Sequence, residues 1–137
     1  MKPTLTAGTE FTHTYRVPEN KTVPYVFEES DLFQEMPPVF ATAFMVGLME
    51  WSCMEALREH MEDGEISLGT NICVSHSAAT PPGMDVQVKV ECLEVSGART
   101  KWSIVASDEK EVIGEGTHER FTINAEKFQK IVAAKST

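Results

Sequence analysis

Basic residues are in short supply. Against 21 Asp and Glu the 137-residue chain sets only 12 Lys and Arg, a formal net charge of −9. That balance excludes the phosphate-neutralising surface that nucleic acid or anionic lipid demands, so neither nucleic acid nor membrane is an expected partner. Cysteine is scarce and odd in number: Cys53, Cys73 and Cys92 stand far apart in apolar or strand-like surroundings. A disulfide framework is excluded, and three reduced, buried thiols of a cytoplasmic protein are predicted. Long hydrophobic runs are missing too. The apolar-rich stretch Pro37 to Met49 runs 13 residues without a charge, below the ~18 that suggest a membrane span. The opening MKPTLTAGTEF lacks the charged, apolar and small-residue succession of a signal peptide. The four His and three Cys show none of the short spacings of zinc sites, so no metal is expected.

Glycine and proline number eight and seven, while 42% of residues are hydrophobic and 24% charged. Disordered and collagen-like chains are thereby excluded. With no repeat, low-complexity tract or linker, residues 1–137 read as one domain, large enough to bury ~65–70% of its unfolded surface.

Residues 9–17 alternate weakly and stop at Pro18, which predicts a strand, and 22–27 is extended but broken by Pro24, an edge or a loop. From Val39 to His60 the spacing turns helical after the Pro37-Pro38 pair. Phe40, Phe44, Gly47, Leu48, Trp51, Met54 and Leu57 form one stripe, predicted to be the buried one. The first half of this helix is apolar nearly all round and its last turns carry Glu55, Arg58 and Glu59, so the fold must surround its N-terminal half. Beyond residue 66 the period is two. Ile72, Val74, His76 and Ala78 share one parity, Val86 to Cys92 alternate with charged residues, Trp102, Ile104 and Ala106 repeat the pattern, and a last strand runs from Val112 to Ile123. The connections 95–100 and 107–110 suit antiparallel hairpins. A strand, one long helix and four antiparallel strands make an α+β hot dog fold, a curved, mainly antiparallel sheet wrapped round a central helix. One such sheet leaves an edge and an apolar margin that a second copy would cover, so a homodimer is predicted.

Glu50 is the first charge after the 13 uncharged residues. A carboxylate there needs a raised pKa or a dedicated hydrogen-bond partner, conditions that suit a base or nucleophile and equally a structural ion pair. His76, by parity, faces the helix and points where Glu50 points, either as a satisfied core residue or as its catalytic companion. Thr42 lies eight residues before Glu50, ~12 Å of helix, so the two side chains cannot touch. Thr42 is expected to cap the helix, where free N–H groups are able to hold a thioester or carboxylate oxygen. Gly69, Gly114 and Gly116 permit close approach, of a ligand arm or of neighbouring backbone. His118 and Arg120 share a face, and Arg120 is placed to neutralise a buried carboxylate or orient a turn. The acidic stretch from Glu28 to Pro38, with Leu32, Phe33 and Met36 as its apolar members, reads as a lid or as an ordinary connection.

Four segments in order, VFATAFMVGLMEW (39–51), SLGT (67–70), SHSAATPPGM (75–84) and IGEGTHER (113–120), resemble the fluoroacetyl-CoA thioesterase family. The resemblance implies a dimeric hot dog enzyme that hydrolyses a short acyl-CoA without a cofactor. It sets the family's catalytic threonine, glutamate and histidine on Thr42, Glu50 and His76, its substrate-contacting glycine and arginine on Gly69 and Arg120, and its two lid phenylalanines on Phe33 and Met36. The thioether at Met36 departs from the family pattern and seals less rigidly than a ring. The alternatives are a hot dog enoyl-CoA hydratase or dehydratase using the same acid and histidine, and a non-catalytic acyl-CoA-binding dimer in which Glu50 and His76 are a structural pair.

Overall fold

The computed structural model describes residues 1–137. Five antiparallel strands, β1 (Glu10–Arg16), β2 (Glu65–Val74), β3 (Asp85–Ser96), β4 (Arg99–Ser107) and β5 (Val112–Asn124), form one sheet in the order β1-β3-β4-β5-β2. The β3–β4 turn is only two residues, and its Gly97 takes a φ of +62°, which costs glycine nothing. β2 pairs with β5 alone, so it and β1 are the two edges.

The long helix α2 runs Thr42–Leu57 and is continued by a 3₁₀ turn, Arg58–His60, inside the predicted 39–60. The Pro37-Pro38 pair and the extended backbone of Ala41 hold its start back to Thr42. Its buried side chains are Met45, Leu48, Met49, Ser52, Cys53, Ala56 and Leu57. They pack on the inward parity of the sheet: Val86, Val88, Val90 and Cys92 of β3, Trp102, Ile104 and Ala106 of β4, and Ile113 of β5.

The predicted stripe is therefore displaced. Phe40, Leu48 and Leu57 are buried, but Trp51 is 44% and Met54 47% exposed, and a Cβ at Gly47 would meet nothing within 4 Å. Phe44, Gly47, Trp51 and Met54 instead look out of the open side of the sheet. A helix apolar on every side carries no periodic signal that says which side faces inward. One smaller expectation is also corrected. Cys53 and Cys92 are buried, but Cys73 on the edge strand is exposed, and all three thiols are free. The tail is a helix, α3 (Ala125–Lys135), whose start is capped by the Asn124 side chain accepting from the N–H groups of Glu126 and Lys127.

Before α2 the chain makes two 3₁₀ turns, Glu19–Lys21 and Val23–Tyr25, and a short helix α1 (Asp31–Gln34) capped by Ser30. Residues 22–27 are thus a loop, one of the two forms expected. This approach is stapled to the body: Phe40 N–H donates to Thr80 O at 2.8 Å, and the Thr80 hydroxyl donates to Asp108 at 2.8 Å.

Candidate active site

Thr42 is the first residue of α2 rather than its cap. The N-cap position is Ala41, which has no side chain to offer, and the first helical bond is Met45 N–H to Ala41 O. The N–H groups of residues 42–44 are left without a partner in the chain, at the positive end of the helix dipole. The Thr42 hydroxyl is directed elsewhere, 2.7 Å from Nδ1 of His76.

His76 lies two residues beyond the end of β2, and the parity read from the sequence persists that far: Ile72, Val74, His76 and Ala78 are half-buried while Cys73, Ser75 and Ser77 are exposed. The continuation holds because Ser75 and Ser77 still donate to the Glu115 and Ile113 carbonyls of β5. Nε2 of His76 is buried with no hydrogen-bond partner, a state that costs about 1–3 kcal/mol in a purely structural residue. Burial holds the imidazole below its ordinary pKa, so it is neutral near pH 7. Thr42 and His76 line a cavity of about 300 Å³ together with Val23, Met36, Val39 and Phe40. Of the two expected lid residues, Met36 reaches this cavity. Phe33 does not; its ring packs at a tilt against Phe27 with centroids 5.6 Å apart.

Glu50 stands more than two turns further along unbroken helix and meets a different group. Arg120 Nη1 donates to Glu50 Oε2 at 3.0 Å. Of the two conditions foreseen for this carboxylate, the structure supplies the dedicated partner. The guanidinium is nearly sequestered, 4% exposed at the side chain against 37% for Glu50. It is fixed by Ser67, whose hydroxyl accepts from Nε at 2.9 Å and whose carbonyl accepts from Nη2 at 2.8 Å. His118 lies alongside, with Nε2 3.0 Å from the same Nη1. His76 therefore does not meet Glu50 within one chain; the histidine next to Glu50 is His118.

Gly69 sits opposite Arg120 in the β2–β5 register, at a bulge where pairing jumps from Gly69 to Asn71. A Cβ there would collide with Glu50 Oε2 and come within 3.3 Å of Arg120 and His118. Its close approach thus serves the Glu50 ion pair. Gly114 and Gly116 admit neighbouring backbone instead, the carbonyls of Ser75 and Cys73. Glu50, Gly69, Thr70, Asn71, Ile72 and His118 line a second cavity of about 280 Å³. The Cys53 thiol, one helical turn beyond Glu50, is pushed up to about 12 by burial and is no nucleophile. No three His, Cys, Asp or Glu side chains are placed to hold a metal ion.

The expected residues other than Phe33 thus fall into two separate groups, Thr42–His76–Met36 and Glu50–Arg120–Gly69. Sequence reasoning missed Ser67 and its hold on Arg120; the signal was the facing of SLGT and THER across one antiparallel pair.

Residues 17–126 match the family model described as fluoroacetyl-CoA-specific thioesterase. The chain is 51% identical over 136 residues to a fluoroacetyl-CoA thioesterase of Streptantibioticus cattleyicolor, across 99% of this chain and 98% of that protein. Among solved structures it is similar to a threonine-to-alanine variant of a fluoroacetyl-CoA thioesterase in complex with fluoro-acetate, with a TM-score of 0.94, 50% identity and coverage of 96% and 98% of the two chains. It is also similar to a hypothetical protein of Thermus thermophilus described as a thioesterase superfamily member, at TM-score 0.87 and 27% identity over 99% and 96% of the chains.

Proposed function

The chain belongs to the fluoroacetyl-CoA-specific thioesterase family, and from that membership we propose that it hydrolyses the thioester of a short acyl-CoA, fluoroacetyl-CoA foremost, as a homodimer. The observation that carries the reading is the Thr42–His76 pair, 2.7 Å apart at an uncapped helix start, with one imidazole nitrogen left free in a small cavity.

His76 in its Nδ1–H form donates to Thr42 and keeps the Nε2 lone pair for a proton. The Thr42 hydroxyl then donates to the thioester oxygen, and the free N–H groups of residues 42–44 face the oxyanion that develops, a contribution of ~3 kcal/mol per donor in comparable sites. Glu50, its Oε2 held by Arg120, has Oε1 available for one of two roles. As a base it shares with His76 the deprotonation of the attacking water; as a nucleophile it forms a mixed anhydride that water then opens. On the base route His76 passes the water's proton to the departing thiolate; on the nucleophile route the C–S bond breaks as the anhydride forms, and the thiolate later takes the proton that His76 removes from the water opening it, so both routes end in the free acid and CoA. Fluorine on the acyl carbon withdraws electrons and makes the carbonyl more electrophilic.

The homodimer unites these two groups as half-sites. β2 is a free edge of the sheet, with residues 69–72 beside Glu50 and 76–79 beside Thr42. A second copy paired antiparallel along that edge sets Glu50 of one copy against Thr42 and His76 of the other. Exposed Trp51 and Met54, and the open space above Gly47, support a second helix over α2. Three free thiols suit a reducing cytoplasm, and no helix is long and apolar enough to cross a membrane.

The test is thiol release from fluoroacetyl-CoA and acetyl-CoA side by side, with Glu50→Gln as background. Faster cleavage of the fluorinated ester and a dead variant support the reading; equal, slow cleavage removes the substrate assignment; no release from either ester removes the activity.

A further inference from the structure

His118 is a buried imidazole that none of the steps above uses. It is 2% exposed and lies on the inner face of β5, paired with Trp102 on β4 and Ile72 on β2. Its Nδ1 lies 2.7 Å from the carbonyl oxygen of Asn71. A carbonyl only accepts, so Nδ1 carries the proton and Nε2 a lone pair. Facing that lone pair at 3.0 Å is Nη1 of Arg120, which only donates. The two neighbours select the same tautomer from opposite sides of the ring.

Nη1 has two hydrogens, and two acceptors take them: Glu50 Oε2 at 3.0 Å and His118 Nε2 at 3.0 Å. Ser67 takes Nε–H and one Nη2–H. Because the guanidinium is planar, the rotation about its stem that would carry Nη1 away from Glu50 is opposed by the imidazole on one side and Ser67 on the other.

We propose that His118 is a positioning residue whose Nε2 lone pair locks Arg120 in the orientation that presents one Nη1 hydrogen to Glu50, and so aims the Glu50 carboxylate at the bound thioester. The inference rests on Glu50 taking part in hydrolysis. It carries a pH dependence, set by the groups that face the ring: Arg120 and Glu119 from β5, Glu50 from α2, and the Asn71 carbonyl from β2. Burial, aided by Arg120, holds the ring neutral at pH 7 against the opposing pull of the Asn71 carbonyl, Glu50 and Glu119. A proton forced onto Nε2 would set donor against donor. Glu50 Oε2, 4.0 Å from Nε2, would then be drawn from Arg120 to the imidazolium.

The test compares His118→Leu, which removes the acceptor and keeps bulk, with His118→Gln, whose amide oxygen can take the Arg120 hydrogen and cannot titrate. Nitrogen-15 NMR of the parent is expected to show the neutral Nδ1–H tautomer. His118→Leu is expected to lose kcat on the order of 10- to 100-fold, the scale of a small misplacement of a catalytic group, with KM little changed and with a displaced carbon-13 titration of the Glu50 carboxyl. His118→Gln is expected to restore most of kcat and to lack the parent's His118 step in the acid limb. An Nε2–H tautomer in the parent, or equal losses in the two variants, overturns the proposal; so does a folded Leu variant with parental kcat and Glu50 titration. If the Leu variant does not fold, the tautomer and the Gln variant's pH profile decide. If the parent cleaves no acyl-CoA, the thioesterase reading falls, while the tautomer and the Glu50 titration still decide whether His118 holds Arg120 on Glu50.

Discussion

Glu50 and Gly69 share one space: the Cβ that any other residue would carry at position 69 falls on Oε2 of Glu50, at the point where that oxygen meets Arg120. The ion pair therefore exists because position 69 has no side chain. Gly69→Ala is expected to push the carboxylate off the guanidinium and lower kcat on the order of 10- to 100-fold. The Gly69 φ lies outside the left-handed region, so the backbone tolerates alanine. Kinetics of thiol release, beside a circular dichroism spectrum that stays parental, check this; an alanine variant with parental kcat would separate the pair from catalysis.

Arg120 ties β2, β5 and α2 together through Ser67, His118 and Glu50. Arg120→Met keeps an unbranched apolar stem and removes every donor, leaving a carboxylate, a serine hydroxyl and carbonyl, and an imidazole unanswered. Breaking a fully buried pair costs about 3–5 kcal/mol. Glu50 keeps 37% of its side-chain exposure and water partly replaces the lost partner, so a loss of about 2–3 kcal/mol is expected. Urea denaturation with an unchanged slope measures it.

His76 and His118 are both held below the ordinary histidine value, chiefly by burial. The sign follows from proton counting. Below about pH 6.5 the unfolded chain protonates these rings while the folded protein resists, so the unfolded state binds more protons and stability falls as pH falls. Above about pH 6.5 both states are neutral and this contribution is flat. Stability is thus expected to decline from about pH 6.5 downward, with a shallower decline in His118→Gln. The acid limb of kcat/KM is expected below the ordinary histidine value, because His76 stays an available base there. Denaturation midpoints and initial rates across the same buffers test both halves; an acid limb above about pH 7 would remove His76 as the base.

Much of this candidate site is legible in the sequence, and what is not legible has two causes. Glu50 stands out as the first charge after a long apolar run, and the 72–78 parity places His76 on the inner side. The helical rise from Thr42 to Glu50 says that the two cannot touch. Periodicity gives a face but not a partner: it turns His76 toward Glu50, whereas the side chain that His76 meets within the chain is Thr42. Finding the Arg120–Ser67–Glu50 cluster needs the β2–β5 register, which a one-residue bulge at Thr70 shifts. The outward direction of Trp51 and Met54 was hidden for a different reason: both sides of α2 are apolar.

Met36, one of the two residues expected in a lid, is the one that reaches the Thr42–His76 cavity, and half of it is exposed. A thioether has three rotatable bonds and fits acyl groups of several shapes, whereas a ring offers one wall. Met36→Phe is expected to raise the preference for fluoroacetyl-CoA over acetyl-CoA by roughly tenfold, the scale of a small change in pocket shape. Met36→Ala is expected to lower it. Competitive turnover of the two esters reads the ratio directly, and an unchanged ratio in both variants would take the lid out of substrate choice.

The two half-sites give the sharpest test of the dimer. Glu50→Gln and His76→Ala are each expected to be inactive alone. Where each active site draws Glu50 from one copy and Thr42–His76 from the other, a mixed dimer of the two variants has one site with both lesions and one with neither. Random mixing makes half of all dimers mixed, and one of two sites in each is intact, so about a quarter of parental activity is expected to return. A site contained in one chain would leave the mixture as dead as its components. Sedimentation on the same samples shows whether dimers are present to exchange. Trp51→Glu, placed in the face expected to meet the second helix, is predicted to yield monomers and to abolish the recovery.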